Sequence, residues 1–157
     1  MVVPLIRKID KVAGKLICIG LGALKTKKAN FKTNSITIIQ LWGIGETVLT
    51  LPAIKALKNK YPKAKITVIC TERNKEVFSG LPFINNLEVI SMNPIKIKLY
   101  MALNFKKFDL VIDMEEYLNI SAILAFNIGK YRIGYSHGAR AKCYDKTVTY
   151  NDMQHCS

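Results

Sequence analysis

ITIIQLWGIGETVLTLP, residues 36–52, sets an apolar strand against a glycine turn and then against a helical pattern. Ile36, Thr37, Ile38 and Ile39 run without polar alternation, as in a strand covered on both faces. Trp42-Gly43-Ile44-Gly45 is a turn at which the backbone can approach a ligand closely, because glycine has no side chain and takes positive φ freely. A helix follows from Thr47, and a helix N-terminus offers N–H groups that have no partner inside the helix. An acidic residue, Glu46, stands at that mouth. Its placement points to proton chemistry rather than to anion capture alone. Pro52 falls within the helix, where it removes a backbone hydrogen bond. Violations of this kind concentrate at functional or strained sites.

The alternation continues outward from this stretch. Short runs rich in Ile and Val lie at 36–40, 66–70, 87–91, 110–113 and 132–135. Helical segments lie between them at 47–60, 74–79, 95–104 and 116–127. Continuous apolar strands separated by helices predict an α/β fold, a Rossmann-like parallel sheet with helices on both faces. Such a sheet carries its site at the carboxyl ends of its strands. TVTY at 147–150 reads as one more strand, and NDMQHCS at 151–157 reads as the opening of a helix. We therefore expect a truncated protein whose second domain lies beyond this chain.

The 157 residues hold 24 Lys and Arg against 11 Asp and Glu, a net charge of +13. Residues 1–32 hold eight basic residues against Asp10 alone, a net +7. Charge and composition thus divide the chain into a basic amphipathic helical extension and linker, residues 1–34, and a Rossmann-like domain, residues 35–157. Residues 1–24 read as helix and 25–35 as a polar basic linker. The apolar run at 16–24 is too short to span a bilayer, which takes about 20 residues, and no small-residue cleavage site follows it. A short apolar helix with basic flanks instead suits the surface of an anionic membrane. The four cysteines form no C-x-x-C pair. They read as reduced, buried small hydrophobes of a cytoplasmic protein.

Several functions remain open on the residues alone. Gly43-Ile44-Gly45, with Glu72 after the next strand, is the beginning of a dinucleotide fingerprint of a Rossmann-type oxidoreductase. Val48 at its third small position and a carboxylate beside the pyrophosphate count against that reading. A basic nucleic-acid-binding module would use the net charge, but the excess lies mostly outside the domain and no recognised motif accompanies it. A third reading makes Glu46 a general base that deprotonates a sugar hydroxyl, with the helix N-terminus favouring its charged form. Glu at this position also serves as an ordinary helix cap. Asp113 and Glu115 end a strand and are candidates either for sugar hydroxyls or for capping the next helix.

IIQLWGIGETVLTLPAIKAL at 38–57 followed by YPKA at 61–64 resembles the opening of glycosyltransferase family 9, the ADP-heptose:lipopolysaccharide heptosyltransferases and their relatives. FDLVIDME at 108–115, SAILAF at 121–126, RIGY at 132–135, and Tyr150-Asn151 with His155 follow in the family's order. The resemblance implies the N-terminal, acceptor-binding half of a GT-B glycosyltransferase. It implies an inverting transfer from a nucleotide sugar such as ADP-heptose, bound mainly by the absent domain, to an anionic glycan or glycolipid acceptor. The catalytic base would be Glu46, where most of the family carries aspartate. Gly43, Gly45, Thr47, Arg73, Arg132 and Arg140 become the candidate acceptor contacts, with Arg132 and Arg140 preferred because a guanidinium grips carboxylate or phosphate through two bonds. Lys75, Lys142, His137 and His155 are weaker candidates. No cofactor or metal and no nucleic-acid partner is implied. The expected place is the cytoplasm, peripheral at the inner face of the cytoplasmic membrane, and this chain alone is expected to be inactive.

Overall fold

The computed structural model describes residues 10–24 and 34–149. The expected motif at Tyr150, Asn151 and His155, the body of the linker and the first nine residues lie outside the described residues. β1 (Ser35–Ile39) is buried along nearly its whole length. β2 (Lys65–Cys70) is too. This matches their unbroken apolar runs, since both faces are covered. β4 (Phe108–Asp113) and β5 (Gly129–Tyr135) follow on the other side, with β3 (Asn86–Val89) and β6 (Lys146–Val148) at the two edges. The strand order is β3-β2-β1-β4-β5-β6. Every pairing is parallel, with Ile38 opposite both Val68 and Ile112 at the centre. This is a Rossmann-like, doubly wound α/β sheet, as expected.

The helices form the two outer layers. α2 (Ile44–Lys60) and the short α3 (Lys75–Phe78) cover one face. There Ile54 and Phe78 close over Ile36, Ile38, Ile66, Val68 and Leu110. α4 (Pro94–Leu103) and α5 (Asn119–Ile128) cover the other, where Ala122, Leu124, Ala125 and Ile128 meet Ile39, Ile69 and Val111. A six-residue 3₁₀ helix, Gly138–Cys143, joins β5 to β6.

α2 begins at Ile44, one turn earlier than the pattern predicts, because Gly43 at φ +75° can end the preceding turn. The helix also runs straight through Pro52. Pro52 is exposed, so the Val48 carbonyl that it leaves unpaired can be hydrated.

The extension set apart by charge is docked against the domain. A π-helical turn, Asp10–Gly14, leads into α1 (Lys15–Ala23), which lies on α5 and the 3₁₀ helix. Its inner face is a row of small residues four apart: Gly14, Cys18 and Gly22. A Cβ on Gly14 would sit 2.7 Å from Asn119 Cβ, and one on Gly22 2.7 Å from Lys142 Cβ. Gly14 and Gly22 therefore permit the close approach of the segment, whereas Gly20 meets nothing within 4 Å. Cys18 is fully buried beside Cys143. Val12, Leu16, Ile17 and Leu24 face outward.

Candidate functional site

Strand order reverses between β1 and β4, and a doubly wound sheet opens its ligand crevice at such a switch point. A cleft of about 740 Å³ lies there, walled by the ends of β1 and β4, the 3₁₀ helix and the N-terminal segment. The β1 side is the glycine turn. A Cβ added at Gly43 would lie 1.9 Å from Glu46 Oε2, so the Glu46 carboxylate folds back over the Gly43 backbone. Any other residue there would meet both the positive φ and this carboxylate. A Cβ at Gly45 would meet nothing within 4 Å, which leaves the helix mouth open. Glu46 itself is exposed and lines the cleft. Among the described residues it has no hydrogen-bonding or ion-pair partner, so it is not consumed as a cap.

Thr47, expected as an acceptor contact, faces inward. Its hydroxyl donates to the Gly43 carbonyl at 2.5 Å and accepts from Asn74 Nδ2 at 3.0 Å. Asn74 Nδ2 also donates to the Gln40 carbonyl at 2.9 Å. Thr47 therefore fastens the turn rather than meeting a ligand.

The β4 side adds a second carboxylate. Glu115 is 5% exposed, and its Oε1 accepts the N–H of Leu41 at 2.5 Å and that of Trp42 at 2.6 Å. It thus ties the end of β4 to the glycine turn. Burial, together with the neighbouring Asp113 charge, pushes its carboxyl up to about 7, against the pull of the two amides. Asp113 is fully engaged below it. Its Oδ2 accepts from Arg140 Nη2 at 2.8 Å, Tyr144 O–H at 2.6 Å and Ser121 O–H at 2.8 Å.

The basic candidates separate. Arg140 lines the cleft, but it is 1% exposed and its guanidinium is committed to Asp113 and Tyr144. Its Nη1, like Gln40 Oε1 on the same cleft, is a buried polar atom without a hydrogen-bonding partner among the described residues. Arg132, the other preferred arginine, lies off the cleft. It forms a buried two-bond ion pair with Asp145, at 2.7 and 2.8 Å, and stacks on Phe126. The strand alternation that turns Arg132 inward makes it a clamp between β5 and the approach to β6, not an acceptor contact. Its neighbour Gly134 is required by packing, since a Cβ there would lie 2.4 Å from the Tyr144 ring. Arg73 is exposed, with its guanidinium over the Trp42 ring at 4.7 Å. Both residues line a second cavity of about 480 Å³ at the ends of β2 and β3, so Trp42 stands between two recesses.

Val48 is half exposed and does not set the helix–strand distance, so its bulk is no obstacle to a dinucleotide. The Glu46 carboxylate over Gly43 is the obstacle, because it occupies the close approach a pyrophosphate needs. Glu72 is exposed and paired with Lys75 at 2.8 Å.

The residues missed by sequence reasoning are Asp10, Lys11 and Lys15, which line the same cleft from the N-terminal segment. Asp10 caps α5 across more than a hundred residues. Its carboxylate accepts the N–H of Asn119 at 2.8 Å and of Ile120 at 2.7 Å. The available signal was an acid ahead of a short helix, which says nothing of a distant partner.

No family model matches the chain, and no curated protein matches it in sequence. Solved structures do match. A family 9 glycosyl transferase from Veillonella parvula superposes with a TM-score of 0.64 at 20% identity, over 79% of this chain and 38% of that one. The E. coli heptosyltransferase WaaC, solved with ADP-2-deoxy-2-fluoro heptose, gives 0.64 at 19% identity over 77% of this chain and 44% of that one. E. coli ADP-heptose lps heptosyltransferase II gives 0.57 at 21% identity over 74% and 35%. The chain thus spans less than half the length of each. Its fold is that of the glycosyltransferase family 9 structures, a Rossmann-like sheet of the GT-B kind.

Proposed function

We propose that this chain is the acceptor-binding half of an inverting glycosyltransferase, which moves a sugar from a nucleotide-sugar donor to an anionic glycan or glycolipid. Glu46 is the general base. The observation that carries this reading is a carboxylate at the open mouth of α2, exposed to the switch-point cleft and free of partners among the described residues. A Cβ at Gly45 would meet nothing within 4 Å, so the backbone beside the carboxylate leaves room for a hydroxyl-bearing ring. Arg73 beside Trp42 and Arg140 at the cleft floor are the acceptor contacts. The donor is held mainly by a second lobe outside this chain.

A peripheral place on the inner face of the cytoplasmic membrane fits the surface. Among the described residues no helix is long and apolar enough to cross a membrane. α1 and α4 both flank α5 on one face of the sheet. Leu16 and Ile17 on α1 point outward, as do Ile95, Leu99 and Leu103 on α4.

The test is Glu46→Gln in the longer protein that contains this chain. Turnover should fall by about 10²-fold or more, the usual scale of lost base catalysis, while donor affinity measured by titration stays near wild type. A variant that keeps its turnover would leave Glu46 a helix-terminal acid without a catalytic role.

A further inference from the structure

We propose that residues 10–23 are a working wall of the cleft, in which Lys11 and Lys15 hold the anionic substituent of the sugar whose hydroxyl faces Glu46. The identity of the ligand rests on the sugar-transfer reading above; the place of the lysines rests on the cleft itself.

The segment is built into the domain. Asp10 caps α5, and the Gly14, Cys18 and Gly22 face allows an approach that added methyl groups would block. Lys11 and Lys15 stand four residues apart, on one helical face. Both line the cleft that Glu46 and Glu115 line from the strand ends. Charge is unevenly placed around the opening: Glu46, Glu115 and Glu116 stand on the strand side, Lys11 and Lys15 on the segment side beside Asp10, and Arg140 also lines the cleft. Asp10 does not neutralise the lysines by direct contact, because its carboxylate is spent on the α5 amides. Among the described residues neither lysine has an ion-pair or hydrogen-bond partner.

A cleft polarised in this way orients a ligand that carries both hydroxyls and a negative charge. The anionic group meets the lysines through charge-assisted bonds. A ring hydroxyl is then turned toward the carboxylate that removes its proton. The volume, about 740 Å³, lies within the usual range for small-ligand sites. Solvated surface lysines would give the same exposure, but nothing would then place both of them on the rim that faces Glu46.

The experiment titrates the chain of residues 1–157 with glucuronate, glucose 6-phosphate and glucose, followed by amide NMR shifts. Both anionic sugars should bind more tightly than glucose and shift resonances on both walls of the cleft. Lys11→Glu with Lys15→Glu should weaken the anionic sugars by about tenfold or more and leave glucose unchanged. Lys11→Gln with Lys15→Gln should fall between. All of these residues are exposed, and circular dichroism checks that the fold is kept. Lys60→Glu with Lys63→Glu makes the same charge change away from the cleft and should leave all three affinities alone. Wild-type affinity in the Lys11/Lys15 variant, an equal loss in the Lys60/Lys63 variant, or no preference for the anionic sugars would each overturn the proposal. If the lysine effect stands while Glu46→Gln leaves turnover intact in the longer protein, the sugar-transfer mechanism fails and the anion site remains.

Discussion

Glu46, in the first turn of α2, and Glu115, just past the end of β4, line one cleft, and their surroundings give them different work. Glu46 is exposed at a helix N-terminus. Glu115 is buried, braced by two amides and held up to about 7 by burial and by Asp113. A carboxyl whose folded pKa lies above its ordinary 4.5 contributes stability that is full below about 4.5 and lost as pH rises through about 7. This one group should therefore make the folded chain less stable at pH 8 than at pH 5 by on the order of 1–3 kcal/mol. Glu115→Gln keeps an oxygen for the Leu41 and Trp42 amides and should flatten that dependence. Urea midpoints at the two pH values read the difference directly, and parallel profiles for wild type and variant would show that Glu115 does not ionise in a buried state. The sequence placed Glu115 at a strand end, but its partners lie more than seventy residues upstream. No local pattern carries that distance. Arg132 illustrates the same blindness. Its type and its place near a strand end suit an anion contact, yet the face it takes on β5 hands it to Asp145.

At the scale of elements, α1 shows what periodicity does and does not convey. The apolar run made the helix legible, and its outward Leu16 and Ile17 are where an interfacial helix would have them. The inner face was not legible, because small residues four apart carry little hydrophobic signal. Their role is distance: they let α1 lie close against Asn119 and Lys142. Gly22→Leu should force α1 away, at a cost of about 1–3 kcal/mol for overpacking. The Cys18 thiol, which donates to the Asn119 carbonyl and lies buried beside the Cys143 thiol, is held well above its ordinary range by that neighbour and by burial, and stays unreactive while α1 is docked. In the variant, Cys18 and Cys143 should react with a thiol reagent at least as fast as a locally opened segment allows, adding two labelled sites to the wild-type count. Gly20→Leu is the control, since a Cβ there meets nothing within 4 Å. Equal labelling in both variants would mean that packing against Lys142 does not hold the helix.

For the whole molecule, the parallel sheet was readable because strands buried on both faces leave continuous apolar runs, and β1 and β2 do so plainly. The order of the strands was not readable, since a run of Ile and Val does not name its neighbours. The +13 charge has the same limit: it suits an anionic surface or a merely solubilising basic tail, and it places neither. Lys11 and Lys15 face the cleft, and Lys25, Lys27, Lys28 and Lys32 belong to the linker. If the linker serves a membrane, these two groups of lysines should be separable. The chain should co-sediment with vesicles containing anionic phosphatidylglycerol and not with neutral phosphatidylcholine, and the binding should weaken as salt shortens the Debye length from about 10 Å at 0.1 M. Replacing the four linker lysines with Gln removes about 1 kcal/mol each near the surface, so vesicle affinity should drop by on the order of a hundredfold or more. The same variant should bind glucuronate as wild type does. Equal binding to neutral vesicles would assign the contact to the apolar faces of α1 and α4 alone. A loss of glucuronate binding in the linker variant would mean that one diffuse basic field, rather than two placed sets of lysines, governs both partners.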